Sequence, residues 1–369
     1  MMQFIFFATS MLILFVANVL FWYILVRFFD ITSAYNQAMV AIIIFGLFLN
    51  ALIASYIIHK WDNLLTRIYY LFSNLWVGLS INLCLMALLI ALIRLSGWTF
   101  GFYVPDLHLK IIFLAGALLL SIAGVYRAFF PQITSYEVFI KNLPAAWDNK
   151  VIVQLSDVHL GPIHRKKFFD RLIDRIQALK PTAVFITGDL FDGTESDFSW
   201  LNHPFTRLQV PRGIYYGFGN HDLYLGFSRV ISMLENNPVK ILDNQLVVVD
   251  GLQIIGINYS FNSDFNLEEA ILKQVAYDPH QPSILMLHVP KNIALAKKSG
   301  IDLQLSGHTH DGQIWPFNYI VNLAHEGHGY GFFTEGDFSL IVNSGAGSWG
   351  PPMRTAARSE IVKITLHKK

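Results

Sequence analysis

Four long apolar runs near the start of the chain limit what it can become: Phe4–Val26, Met39–Ile58, Leu71–Ile93 and Ile111–Phe130. A helix of roughly 20 apolar residues crosses a hydrocarbon core of ~30 Å. The first three runs reach that length easily. The fourth reaches it with tilt, or with Arg127 snorkelling to the interface. Residues 1–130 carry only Arg27, Lys60, Arg67, Arg94, Lys110, Arg127 and the aspartates Asp30, Asp62 and Asp106. Almost all the remaining ionisable groups follow, so a transmembrane region (1–130) precedes a second region (131–369). A hydrophobic content of 53% and a mean hydropathy of +0.43 are too high for a wholly soluble chain of 369 residues. Trp22, Tyr23, Trp61, Tyr69, Tyr70, Trp98 and Tyr103 near the run ends suit interfacial belts.

The first run is too long for a cleavable signal, and Met1-Met2-Gln3 carries no basic residue before it. With four spans, Lys60, Arg67, Arg127 and Lys141 share the side of the C-terminal region, against Arg27, Arg94 and Lys110 opposite. That excess places the C-terminal region in the cytoplasm. No ionisable residue occupies the middle of a span, which argues for an anchor and against a transport path. Asn18, Asn50, Asn74 and Asn82 then read as helix–helix hydrogen-bonding groups. The single cysteine, Cys84, excludes an internal disulfide and reads as a small core residue. A net charge of +1 gives nucleic acid no basic surface.

Beyond Phe130 the pattern is α/β. Strands are expected at Ser135–Lys141, Val151–Leu155, Ala183–Thr187, Ile214–Phe218, Ser283–Leu287, Leu303–Leu305, Phe338–Val342 and Ile361–Leu366. Hairpin material spans Val239–Leu242, Leu246–Val249 and Leu252–Ile257, with Asp250-Gly251 as the turn. Phe169, Leu172, Ile173, Ile176 and Leu179 recur at helical spacing, ended by Pro181, and further helices are expected at Phe227–Asn236 and Leu267–Val275. Strands interleave with helices early and hairpins come late. This order suggests a layered α/β/β/α sandwich of two packed sheets. Asn322–Gly336, rich in glycine and aromatics, reads as a lid or a long loop.

Polar groups that can bind metal follow the strand ends: Asp157, His159, Asp189, Asn220, His288, His308 and His310. In Gly307-His308-Thr309-His310 the glycine permits a tight turn, and alternation lets both rings face one pocket. Carboxylate, amide oxygen and imidazole together suit Mn, Fe or Zn. Seven ligands are too many for one ion, so a carboxylate must bridge two. A two-metal centre points to hydrolysis of a phosphoester or pyrophosphate. His221, beside Asn220, is placed to stabilise transition-state charge or to protonate the leaving oxygen. Asp192 reads as a group orienting the ligands or contacting substrate, or as a turn residue. Arg354, after Gly350-Pro351-Pro352, reads as a grip for phosphate. His164, His203, His280, His325 and His328 read as solvated loop residues.

Asp157-Val158-His159, Gly188-Asp189-x-x-Asp192, Gly219-Asn220-His221-Asp222, His288 and Gly307-His308-Thr309-His310 resemble, in order, the signature of calcineurin-like metallophosphoesterases. The resemblance implies one metal held by Asp157, His159, Asp189 and His310. It implies a second held by Asp189 (bridging), Asn220, His288 and His308, with His221 as the catalytic histidine. Ser348–Arg354 further resembles a membrane-associated bacterial subgroup that includes enzymes similar to UDP-2,3-diacylglucosamine pyrophosphatases of lipid A synthesis. Asp311 departs from that subgroup, which has glycine there. With a short linker after Phe130, the site is expected close to the lipid bilayer, acting on a lipid-linked phosphodiester or nucleotide-diphospho-lipid. The alternatives are a general phosphodiesterase acting on envelope or extracellular phosphoesters, and a non-catalytic interaction module.

Overall fold

The computed structural model describes residues 15–16, 18–259 and 272–369. The chain divides into two compact units, Met1–Gly124 and Val125–Lys369.

In the first unit a short apolar helix, α1 (Asn18–Phe28), precedes α2 (Ala34–Lys60), α3 (Leu64–Phe100) and α4 (Asp106–Phe129). Three helices among the described residues, α2 to α4, are long and apolar enough to cross a membrane, where the sequence suggested four. The expected span Phe4–Val26 falls largely outside the described residues, and α1 alone is shorter than a span. α3 runs well past the apolar run Leu71–Ile93 because strong signals set its ends. Asn63 closes a capping box with Thr66 at one end, and Gly101 at φ +74° stops the helix at the other. Two asparagines link helices as expected: Asn50 donates to Ser73 (2.7 Å) and Asn82 to Ser121 (2.9 Å). Asn74 instead donates to Tyr70 O, four residues back in its own helix.

The second unit is built on two six-stranded mixed sheets. The first has the order β1 (Gln132–Ile140), β12 (Glu360–Lys368), β2 (Lys150–Leu155), β3 (Ala183–Thr187), β4 (Ile214–Gly217), β5 (Val239–Ile241). From β2 to β5 every neighbour is parallel. The second sheet has the order β10 (Gly331–Glu335), β11 (Phe338–Val342), β9 (Leu303–Ser306), β8 (Ser283–Leu287), β7 (Leu252–Ile257), β6 (Gln245–Val249). It is parallel from β11 to β7 and antiparallel at both margins.

Three apolar cores define the layers. Ile152, Phe185 and Tyr215 of the first sheet meet Ile254, Ile284, Met286 and Leu305 of the second, which is the inter-sheet core. The far face of the first sheet is covered by α5 (Lys166–Ala178), through Phe168, Phe169, Leu172, Ile173 and Ile176, with α6 (Asn202–Thr206) adding Phe205, α7 (Asn220–Leu225) adding Leu225, and α8 (Phe227–Leu234) adding Val230 and Leu234. Ile255, Leu285 and Leu340 on the far face of the second sheet pack with Ala296 of α9 (Ile293–Lys298). The four-layer arrangement follows from strands that bury both faces.

Three readings of local structure change. Val239–Ile241 belongs to no hairpin; it pairs parallel with β4, while β6 and β7 alone form the hairpin around Asp250-Gly251. Part of the supposed lid is edge strand β10, antiparallel to β11. Before it stands an unforeseen helix, α10 (Phe317–Ala324). The expected helix Leu267–Val275 lies mostly outside the described residues.

Candidate metal centre

Asp157 and His159 follow β2, Asp189 follows β3 and Asn220 follows β4; His288 follows β8, and His308 and His310 follow β9. Parallel strands of both sheets therefore deliver every expected ligand to one end of the sandwich, where open α/β sheets bind ligands. The backbone at these positions is held in an uncommon conformation. Asp157, His159, Asp189, His308 and His310 all have positive φ, between 50° and 72°. Non-glycine residues adopt this region at a cost and persist there when their surroundings over-determine them.

His308 and His310 are not on a continuing strand. A left-handed residue on either side of helical Thr309 sends the first ring toward Asn220 and the second toward Asp157. Gly307 also has a different function from the one expected. It is not among the positive-φ glycines; its missing side chain is what matters, since a Cβ there would lie 2.0 Å from Ser156 Oγ and 2.3 Å from Asp157 Oδ2. This close approach lets the His308 amide donate to both Asp157 oxygens, at 3.1 and 3.0 Å. Asp311, the departure from the subgroup pattern, has φ +46°, a conformation that favours glycine.

The donors converge in overlapping groups: Asp157, His159 and His310; His159, Asp189 and His221; Asp189, His288 and His308. Within each group one donor atom per residue lies within 4.8 Å of the others. His310 Nε2 is 3.4 Å from Asp157 Oδ1 and 3.0 Å from His159 Nε2. Asp189 Oδ2 is 3.9 Å from His159 Nε2 and 3.2 Å from His288 Nε2, which puts this carboxylate between the two halves. Asn220 Oδ1 lies 3.0 Å from His308 Nδ1.

The donor set fits divalent cations. His288 gives its Nδ1 proton to Thr187 O (2.8 Å), which turns its buried Nε2 toward the Asp189 carboxylate. A ring nitrogen aimed at a carboxylate calls for a positive charge between them, a divalent cation or a proton. Burial alone would lower the His288 pKa, but Asp189 and Asp157 outweigh it and push it up to about 10. Asp189 is held well below the usual carboxylate range, with burial overridden by His288 and His159. Burial lowers His159, takes His310 well down with help from Arg354, and brings His308 to about 3 with help from His288. These three rings are neutral at pH 7, the state in which imidazole ligates.

His221 lies beside the cluster. Its amide donates to Asp189 Oδ1 (2.8 Å) and its Nδ1 to Asp192 O (3.0 Å), leaving Nε2 as the ring's second nitrogen. Burial, with His159 nearby, lowers its pKa. The Asp192 carboxylate is 3.5 Å from His159 Nδ1.

Arg354 is not placed to meet a substrate. It is fully buried, donating from Nε and Nη2 to Gly347 O (2.8 and 2.6 Å) and from Nη2 to His310 Nδ1 (2.8 Å). Its planar fork is spent on fixing the His310 ring and the turn behind it. His164 is also buried rather than solvated, 2.8 Å from Ser348 Oγ, and burial takes its pKa to about 3.

Other polar groups had no role assigned from the sequence. Asp222 is wholly buried and accepts the amides of Asp189 (2.7 Å), Gly219 (2.8 Å) and Phe191 (3.1 Å), tying the β3 and β4 loops together. Between the sheets Gln154 donates to Thr187 Oγ1 (3.0 Å) and Ser306 O (2.8 Å). Asn343 donates to Gln154 O and accepts from Gly345 N. The only signal for Asp222 was its place after His221; Gln154 and Asn343 gave none.

A family model described as calcineurin-like phosphoesterase matches residues 150–312. An uncharacterized metallophosphoesterase of Campylobacter jejuni is 36% identical over 273 residues, 72% of this chain and 72% of the relative. The chain belongs to the calcineurin-like phosphoesterases. An uncharacterized metallophosphoesterase of Aquifex aeolicus is 30% identical over 261 residues, covering 69% of this phosphoesterase and 98% of the relative. A "transmembrane protein with metallophosphoesterase domain" of Bos taurus is 30% identical over 272 residues, and there the match spans 60% of the relative's length. The family's chemistry is hydrolysis of phosphoesters with divalent metals. Arg354 lies outside the matched stretch.

Proposed function

We propose that the chain is a membrane-anchored, dinuclear phosphohydrolase whose catalytic unit faces the cytoplasm and cleaves a lipid-linked phosphodiester or pyrophosphate. The observation that carries this reading is the chain of three overlapping donor clusters, two of which share Asp189. Asp157, His159, Asp189 and His310 would hold one ion; Asp189, Asn220, His288 and His308 would hold the other, with Mn, Fe or Zn suiting the donors. When bound, two such ions supply an acidified water and neutralise charge on the phosphoryl oxygens.

The chain's residues do the rest. Asp222 and the His308 amide hold the two aspartates in place. His221 gives its Nδ1 proton to Asp192 O and keeps Nε2 for the reacting group. Burial lowers its pKa, so the neutral ring presents an Nε2 lone pair that accepts a proton before it can return one to a leaving oxygen. The membrane helices support a lipid-linked substrate, and UDP-2,3-diacylglucosamine is the specific compound we favour.

The test is hydrolysis by detergent-purified protein with Mn, with Asp189→Asn as control. UDP-2,3-diacylglucosamine is compared with an aryl phosphodiester, and products are identified by mass. Release of UMP and lipid phosphate well ahead of the aryl ester is the expected outcome. Turnover of the aryl ester alone refutes the lipid assignment, and no turnover above the Asp189→Asn background refutes the enzyme.

A further inference from the structure

α10 (Phe317–Ala324) buries none of its residues. Phe317, Tyr319, Ile320 and Leu323 are 42%, 66%, 62% and 82% exposed. A helix this exposed in water normally carries charge. Here no Asp, Glu, Lys or Arg occurs from Gly312 to His325. Exposed Trp315 precedes the helix, and exposed Trp349 is tied to the same turn through Gln313, which donates to Trp349 O (2.9 Å). A contiguous apolar patch of this kind marks an interaction surface.

The patch borders the metal-binding residues at both ends. The turn His310–Gly312 leads into it, and the ring of His325, at the end of α10, lies 6.2 Å from that of His308. Trp349 is 5.7 Å from His221.

We infer that α10 is an interfacial helix that inserts its apolar side chains into the acyl region of a lipid bilayer, bringing the site to phosphoesters at the membrane surface. The occupant is lipid because this chain carries its own membrane interface. Three of its helices can cross a bilayer, and the last of them ends at Phe129, with two residues before β1 begins at Gln132. Uncharged aromatic and aliphatic side chains match the headgroup–acyl boundary, with Trp and Tyr as interfacial anchors. The inference rests on the reading that the α/β unit works beside the membrane, and it needs no particular reaction.

The full-length chain, in a Cys84→Ser background with Leu323→Cys carrying an environment-sensitive fluorophore, is reconstituted in phosphatidylcholine vesicles with brominated acyl chains. Lys240→Cys, exposed on β5, is the control. Label at 323 should emit at shorter wavelength and be quenched by bromine at least about twofold more than label at 240. Equal, water-like emission at both positions overturns the inference. So does an apolar signal at 323 that bromine does not quench and that fades on dilution into excess lipid, since a second copy would then cover the helix. Fluorescence requires no turnover, so its outcome is independent of the hydrolysis test. An Ile320→Ser/Leu323→Ser pair adds a functional arm: KM for a long-chain phosphodiester in vesicles should rise while turnover of a soluble aryl ester stays unchanged. Equal effects on the two substrates count against the inference.

Discussion

Among single residues, Asp222 shows how much of the centre depends on groups that never touch a metal. Its carboxylate takes three buried backbone amides, those of Asp189, Phe191 and Gly219, from the loops that carry Asp189, Asn220 and His221. Asp222→Ala strands those donors. At about 1–3 kcal/mol for each unsatisfied buried group, a loss on the order of 3 kcal/mol or more is expected. Thermal unfolding of the full chain in detergent measures it, and Asp222→Asn, which keeps one acceptor, should fall between the two. A loss indistinguishable from zero would mean that the amides find other partners. Asp302 makes a different point. Burial, with Asp337 nearby, raises its pKa to about 6, although the Ser283 amide donates to it (2.9 Å). The folded state therefore holds this proton more tightly than the unfolded chain, where an aspartate titrates near ~3.9. Its ionisation opposes folding above pH 6, and that penalty is relieved as pH falls toward 4. Asp302→Asn should melt above wild type at pH 8, with the gap closing by pH 4. A gap that widens on acidification would reverse the sign argued here.

At the level of elements, what the sequence revealed and what it hid have separate physical causes. β3, β7, β8 and β11 are short apolar runs bounded by turn residues, and each forms over the expected residues. The C-terminal ends of β2, β3, β4, β8 and β9 point to the centre because ligand types recur there. β10, Gly-Phe-Phe-Thr-Glu, has no such signature, being a short, half-exposed edge strand. α10 was hidden for another reason. At eight residues it makes barely two turns, too few for its apolar spacing to stand out in the sequence. Arg354 and the Gln154–Asn343 pair are contacts between residues far apart in sequence, which no local pattern encodes. Gly307 falls between these cases, since its presence was legible but its reason was not. Because the gap it leaves is filled by Ser156 and Asp157, Gly307→Ala should push Asp157 off its position without unfolding β9. Metal affinity is expected to fall by about tenfold or more, the range seen when groups supporting ligands are disturbed. Isothermal titration with Mn tests this, and unchanged affinity would return the glycine to a role in chain turning.

For the whole molecule, the centre is a joint between two sheets. Asp157, His159, Asp189 and Asn220 leave the first sheet, while His288, His308 and His310 leave the second, so a cation held by both sets ties the sheets together at one end. The unfolded chain cannot present these groups at such spacing, and metal binding therefore adds to folding stability. A ligand present at a hundredfold over its dissociation constant contributes about 2.7 kcal/mol. For a unit of this size that corresponds to a shift of roughly 5–10 °C in the α/β transition. Full-length protein stripped with chelator should therefore melt earlier in that transition and recover on adding Mn. The transition of the membrane helices should stay where it is, since none of the ligands belongs to them. Asp189→Asn removes the shared carboxylate and should abolish most of the Mn-dependent gain, whereas Asn220→Ala should leave the half built on Asp157, His159 and His310 responsive. Equal loss in the two variants would mean that the halves bind as one unit. No metal dependence in wild type would show that the loops are fixed by Asp222, Arg354 and the polar layer between the sheets, with the ions contributing nothing to the fold.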